Sequence, residues 1–323
     1  MGTLYSIGEV LIDFIPLQKG QALKDVVSFE RAPGGAPANV AAAIAKLGGR
    51  SKMITKLGAD AFGDFLLEKL EETGVDTSHI IRTNEANTGL AFVSLREDGE
   101  RDFSFYRKPS ADLLLTADEV DNSIFETGDI LHFCSVDLVD SPMKQAHVKA
   151  IQSAKESGAL ISFDPNVRLP LWDSSDACRE TILEFIPKAH IVKISDEELT
   201  FITGIENEDK AIASLFFGDV QTVIYTKGAA GATLYVQDIT IDSNGYSVDV
   251  QDTTGAGDAF IGALLYRLME ADTSQQTLQH VLICDGQSIL SFANAAGAIT
   301  TTGKGAISSL PSKKQIDDII KIR

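Results

Sequence analysis

Apolar positions along this chain follow two alternating rhythms. Short runs rich in β-branched and aromatic residues, Leu4–Ile7, Ser51–Lys56, Ile130–Cys134, Leu160–Phe163, Ile191–Ile194 and Thr222–Thr226, predict buried strands. Between them, apolar residues return at three- and four-residue spacing. That spacing predicts helices over Pro37–Leu47, Phe62–Glu72, Ser141–Glu156, Ser175–Phe185 and Gly257–Glu270, and a long apolar helix around Gln279–Ala298. Pro37 suits a first helical turn, and Gly48-Gly49 suits a stop. Strand and helix in repeated succession predict a parallel sheet with helices on both faces.

Two stretches break the rhythm. Thr88–Leu95 and Arg101–Tyr106 are strand-like around Glu97-Asp98-Gly99-Glu100, where Asp-Gly signals a hairpin. The segment from Phe14 to Phe29 is also extended. Together they predict a small β layer beside the main sheet. So small a sheet rarely stands alone, so it serves as a lid, a dimer surface or both. Tyr246–Val250 alternates apolar with polar and is expected to be one more strand.

That last segment leads into Asp252-Thr-Thr-Gly-Ala-Gly-Asp-Ala-Phe260. Small residues at Gly255, Ala256 and Gly257 open a helix, whose first N–H groups and partial positive charge suit an anion. Asp258 then has two readings. It is either a first-turn carboxylate stabilised by the helix dipole, or the acceptor of a hydroxyl proton beside a bound phosphoryl group. A second cluster, Gly34-Gly35-Ala36-Pro37-Ala38-Asn39, also opens a helix. Asn39 can donate to and accept from sugar hydroxyls, although a plain turn with a helix start reads the same way. A third run, Thr226 to Gly231, follows a strand and could be merely a hairpin turn.

Composition removes other classes. The 323 residues are 44% apolar and 23% charged, an ordinary globular mix long enough for one large α/β domain or a domain with an extension. A net charge of −18 argues against a nucleic-acid or anionic-membrane surface. Cys134, Cys178 and Cys284 show neither metal nor disulfide spacing, which points to a reducing, cytoplasmic setting. No run approaches membrane-span length, and the start lacks a secretory leader pattern. The P-loop, G-x-G-x-x-G, H-E-x-x-H and G-x-S-x-G patterns are all absent, and the five histidines are scattered. These absences argue against a zinc enzyme, an α/β-hydrolase and an ordinary dehydrogenase.

The pair GGAPANVA at 34–41 and DTTGAGDAF at 252–260 resembles the two signatures of the ribokinase-like sugar kinases, also called the phosphofructokinase B family. Order, separation and chain length fit over nearly the whole chain. The resemblance implies a ribokinase-like three-layer α/β/α sandwich, one kinase domain over 1–323 with a β lid from about 14–32 and 88–107, and ATP-dependent phosphorylation of a sugar hydroxyl. Carried over by position, it makes Asp258 the catalytic base and the N–H groups of Gly255–Asp258 (with Ala256 and Gly257 between) the anion hole. It places Asp13, Gly34, Gly35 and Asn39 on the sugar. Lys193, Ser195, Thr226, Gly228, Gly231, Gly257 and Asn294 fall along the nucleotide. Glu198 would act on Mg2+ through water, and Asp252 and Thr254 would border a K+ site. Ser195 departs from the family's usual asparagine; its other reading is a helix N-cap with a capping box to Glu198.

FYRKPSADLLL at 105–115 and FDPNVRLPLW at 163–172 resemble the fructokinases within that family, which aims Arg107 and Arg168 at the active site. Plain surface charge, or partners among nearby acids such as Asp112 and Asp164, is the alternative. The resemblance thus implies a cytoplasmic fructokinase using ATP and Mg2+, with K+ as a further ion and a homodimer through the lid as a further partner. A 2-keto-3-deoxygluconate kinase is the alternative within the class. A nucleoside kinase and a non-catalytic sugar sensor rank below it.

Overall fold

The computed structural model describes residues 1–18, 20–95 and 101–322. The expected hairpin turn at Glu97–Glu100 lies outside the described residues. In chain order the elements are β1 (Thr3–Ile7), β2 (Leu11–Pro16), β3 (Phe29–Gly34), α1 (Ala36–Lys46), β4 (Arg50–Gly58), α2 (Ala61–Thr73), β5 (Ile80–Thr83), β6 (Leu90–Leu95) and β7 (Arg101–Tyr106). They continue with β8 (Ile130–Cys134), α3 (Pro142–Ser157), β9 (Leu160–Asp164), α4 (Ser175–Phe185), β10 (Ile191–Ser195), α5 (Asp196–Thr203) and α6 (Glu208–Ser214). The last third holds β11 (Thr222–Thr226), β12 (Gly231–Val236), β13 (Ile239–Asn244), α7 (Ala256–Glu270), α8 (Leu278–Thr300), α9 (Ala306–Ser309) and α10 (Lys313–Ile322).

The main sheet runs β13-β12-β11-β10-β9-β8-β1-β4-β5. From β11 to β5 neighbouring strands are parallel, and β12 and β13 add an antiparallel edge. Alternating residues of one strand feed two different cores. Leu4, Ile130, Leu160 and Ile191 pack with α1, α7 and α8 on one face. Their neighbours Tyr5, Leu131, Ile161 and Val192 pack with α3, α4 and α5 on the other. Burial on both faces explains why these strands read as continuous apolar runs. Each fully buried side chain of the size of Phe133 or Phe163 contributes about 1.5–3 kcal/mol to holding the layers together.

The small β layer is a second sheet of order β3-β2-β6-β7, joined to the body through Ile12, Phe14 and Leu90 against α1 and α2. Its outer aromatics form one cluster, with Phe14 stacked on Phe92 at 4.7 Å and Phe29 edge-on to both. Tyr246–Val250 is not a strand. Tyr246 and Val248 face inward while Ser247, Asp249 and Val250 face out, so the alternation is real, but among the described residues no strand pairs with the segment. It is an extended connection from β13 to α7.

Candidate active site

Both glycine clusters and the acids behind them meet at the C-terminal ends of the parallel strands, where open α/β sheets place ligands. Gly255 caps α7 with φ +78°, a left-handed conformation that favours glycine, and a Cβ there would lie 2.5 Å from that of Ala306. The first i→i−4 bond of α7 is Ala259 N–H to Gly255 O at 2.8 Å, so the N–H groups of Gly257 and Asp258 precede the helical ladder. Ala256 N–H differs from its neighbours: it already donates to Thr253 O at 3.3 Å.

Asp258 is buried. Its Oδ2 accepts from Asn39 Nδ2 at 2.8 Å and its Oδ1 from Asn166 Nδ2 at 3.3 Å. Burial raises its pKa above the usual aspartate value; the Asn39 amide and the charges of Lys193 and Arg168 oppose that rise. Arg168 itself is exposed, with Nη1 donating to Val167 O at 2.9 Å. Lys193 Nζ donates to Asp164 Oδ2 at 2.8 Å and lies 3.4 Å from where a Gly257 Cβ would be, against the open start of α7. Burial lifts the Asp164 carboxyl to about 7 against the pull of Lys193.

The other turn faces this one. Gly35, with φ +111°, lies so close to Glu9 that a Cβ would stand 2.3 Å from Glu9 O. Glu9 Oε1 then accepts Ala36 N–H at 2.9 Å and fixes the start of α1, from which Asn39 reaches Asp258. Asp13 sits against Gly34, where an added Cβ would stand 2.1 Å from Asp13 Oδ2.

Glu198 Oε1 accepts Val167 N–H at 2.7 Å, and its Oε2 accepts Ser195 N–H at 3.0 Å and Ser195 Oγ at 2.8 Å. Ser195 therefore has the capping arrangement with Glu198. Against the cost of burial, Lys193 and these donors hold the Glu198 pKa below the usual glutamate value. Thr226 ends β11, with Oγ1 donating to Ile194 O at 3.4 Å, and Gly228 and Gly231 form the hairpin from β11 to β12. Asn294, on α8, donates to Ser243 O at 3.0 Å. Asp252 Oδ1 accepts from Thr254 N–H at 3.0 Å, and its Oδ2 accepts Gly305 N–H at 3.0 Å, tying the signature to the 303–308 loop.

The sequence matches the description pfkB family carbohydrate kinase over residues 1–313. The chain belongs to the pfkB carbohydrate kinase family. Among its relatives, Fructokinase-1 of Zea mays is 44% identical over 317 residues, covering 98% of this chain and 97% of that protein. The crystal structure of a fructokinase with bound ATP from Xylella fastidiosa superposes with a TM-score of 0.90 at 34% identity, covering 99% and 98% of the two chains. Fructokinase from Vibrio cholerae O395, with fructose, ADP and calcium ion bound, gives 0.87 at 35% identity and 99% of each chain. A double mutant of that enzyme with fructose, ADP and potassium ion bound gives 0.86 at 35% identity, over 99% and 98%. These likenesses carry the ribokinase-like fold as well as the family.

One site residue sits differently from its expected place. Arg107 does not offer its guanidinium to a sugar: that group is buried and paired with Asp112 and Asp137, while Ser110 Oγ donates to Asp112. The alternative named for it, a nearby acid, is what the fold provides. Glu9, Asp137 and Asn166 join these clusters without having been singled out, and Asp164, named only as an alternative partner for an arginine, pairs with Lys193 instead. Glu9 lies four residues before Asp13, and Asp164 and Asn166 lie within FDPNVRLPLW, so the signal was adjacency to residues already implicated. Asp137 carried no such signal. A cavity of about 600 Å3 opens at the opposite, N-terminal ends of β1 and β4, lined by residues such as Arg50, Lys52 and Asp76. Lys52 there already pairs with Asp76 at 3.2 Å, and no signature residue lines the cavity.

Proposed function

We propose that the protein is an ATP-dependent fructokinase that phosphorylates the 6-hydroxyl of D-fructose. The observation that carries the reading is Asp258, a buried carboxylate held by two amides on the helix start where the N–H groups of Gly257 and Asp258 precede the helical ladder. An amide donor leaves a carboxylate oxygen with lone pairs to spare. In the reaction, Asp258 accepts the hydroxyl proton as the sugar oxygen bonds to the γ-phosphorus, and the bond from phosphorus to the ADP oxygen breaks in line. The α7 start, Gly255 to Asp258, receives the phosphoryl oxygens, and Lys193 and Arg168 add full positive charge.

Asp13, Gly34, Gly35 and Asn39 bind the sugar in this reading. Thr226, Gly228, Gly231 and Asn294 flank the nucleotide, with Ser195 at its edge. Relatives hold ATP or ADP together with calcium or potassium ions. For magnesium, Glu198 and Asp164 are fitting partners: both offer hard oxygen donors, and Asp164 Oδ1 is buried without a hydrogen-bond partner among the described residues. The ion, when bound with the nucleotide, neutralises phosphate charge. Asp252 and Thr254 with the 303–308 loop are the proposed potassium border. The second sheet is a lid over the sugar, and exposed Leu17, Val27 and Tyr106 on it suit a second copy of the chain. A cytoplasmic setting agrees with three free thiols and with the lack, among the described residues, of a helix long and apolar enough to cross a membrane.

Fructose is favoured over 2-keto-3-deoxygluconate because Arg107 is already matched by carboxylates. An arginine kept for a substrate carboxylate would stand buried and unmatched. ADP release over a sugar panel with MgATP tests the assignment, with fructose expected to give the highest kcat/KM. A keto-acid preference of about tenfold, or 1.4 kcal/mol, would overturn it. The same panel in potassium and tetramethylammonium salts at equal ionic strength should run faster in potassium; equal rates would remove the potassium border.

A further inference from the structure

The charges around Arg107 do not balance. Asp112 alone would match its guanidinium, yet Asp137 binds it as well, and Glu9 acts on it from beneath the Gly34–Asn39 turn. Glu9 Oε2, Asp137 Oδ2 and Ser135 Oγ are buried without a hydrogen-bond partner among the described residues. The cluster also touches the proposed sugar site on two sides. Glu9 Oε1 holds Ala36 N–H at 2.9 Å on one side. On the other, the Arg107 stem lies 3.4 Å from where a Gly89 Cβ would be, and Gly89 O accepts Ile12 N–H at 3.1 Å, next to Asp13.

We propose that Asp137 is a specificity-determining residue: it supplies the excess negative charge under the sugar turn that excludes sugar acids while admitting neutral sugars. This rests on the fructokinase reading and deepens it. Asp137 acts through the field of the cluster and need not touch the substrate. In a buried setting a like charge near the ligand is weakly screened, so one carboxylate is enough to discriminate. Burial lifts the Asp137 carboxyl itself to about 7 against the pull of Arg107 and pushes Glu9 well up, so at neutral pH Asp137 carries part of a charge and Glu9 adds little to it.

Calorimetric titration of the MgADP-bound enzyme with D-gluconate and with D-sorbitol, an acid and a neutral polyol of the same length, isolates this term without relying on turnover. The wild-type protein should bind gluconate no tighter than sorbitol. Asp137→Asn should move the gluconate-to-sorbitol affinity ratio toward the acid by about tenfold, the scale of one charge-assisted contact. Asp112→Asn removes the same net charge and serves if the first variant does not fold. An unchanged ratio in a folded variant would overturn the proposal. So would a wild-type protein that prefers gluconate tenfold, a result independent of any variant. Failure of the fructokinase reading shows elsewhere, as wild-type enzyme that releases no ADP with fructose.

Discussion

At the start of α7 a buried carboxylate is held by amides, whereas at the end of β7 a buried guanidinium is held by carboxylates. Both clusters lie beside the Gly34–Asn39 turn, through Asn39 in one case and Glu9 in the other. Their electrostatics differ in kind. Amides donate without cancelling charge, so the Asp258 carboxylate keeps lone pairs free to take up a proton, and burial raises its pKa. Around Arg107 two carboxylates hold one guanidinium, so its positive charge is committed within the cluster. At Asp258 the carboxylate is left for chemistry because its direct hydrogen-bond partners are neutral.

The sharpest way to break the contrast is at Asp258. Asp258→Asn keeps the shape but turns one of its two accepting oxygens into a donor and cannot take up the proton, so turnover should fall by about a hundredfold to ten-thousandfold with nucleotide binding retained. Steady-state ADP release with fructose would show it, and near-normal turnover would reduce Asp258 to a dipole-stabilising residue. Next in size is Arg107. Arg107→Met leaves Asp112 and Asp137 buried without their cation, and should cost about 3–5 kcal/mol of stability in urea unfolding. A loss below about 1 kcal/mol, the value of an exposed pair, would mean the cluster is effectively solvated.

The smallest effect concerns pH. A base with a raised pKa is protonated more readily, so kcat/KM should fall with acidification above the ordinary aspartate range. Lys193 and Arg168 both favour the ionised form. Replacing either by methionine should therefore move this acid limb to higher pH, with Lys193 having the larger effect because it is buried. A limb that stays put in both variants would detach these cations from Asp258.

Much of this was legible in the chain. Ile130–Cys134, Ser175–Phe185 and Thr222–Thr226 have the bounds their apolar spacing predicts, because burial on defined faces imposes that spacing. The two signature turns were legible because close backbone approach restricts residue choice at Gly35 and Gly255. Tyr246–Val250 misled because alternation reports extended backbone with one buried side, and a strand also needs a neighbour to pair with. Arg107 and Asp137 were illegible for another reason. They are 30 residues apart, and only the fold of β7 and β8 decides that an arginine in a sugar-kinase motif meets an acid rather than a substrate.

The bond from Asn39 to Asp258 spans 219 residues of chain. A protein emerging from the ribosome builds its N-terminal elements first. In the proposed function, the turn that binds sugar can therefore exist on a nascent chain long before the carboxylate that completes it has been synthesised, and Ala306, which packs on Gly255, comes later still. A half-made enzyme would have a place for sugar and no means of spending ATP on it. In that reading the site is complete only once α7 lies against α1.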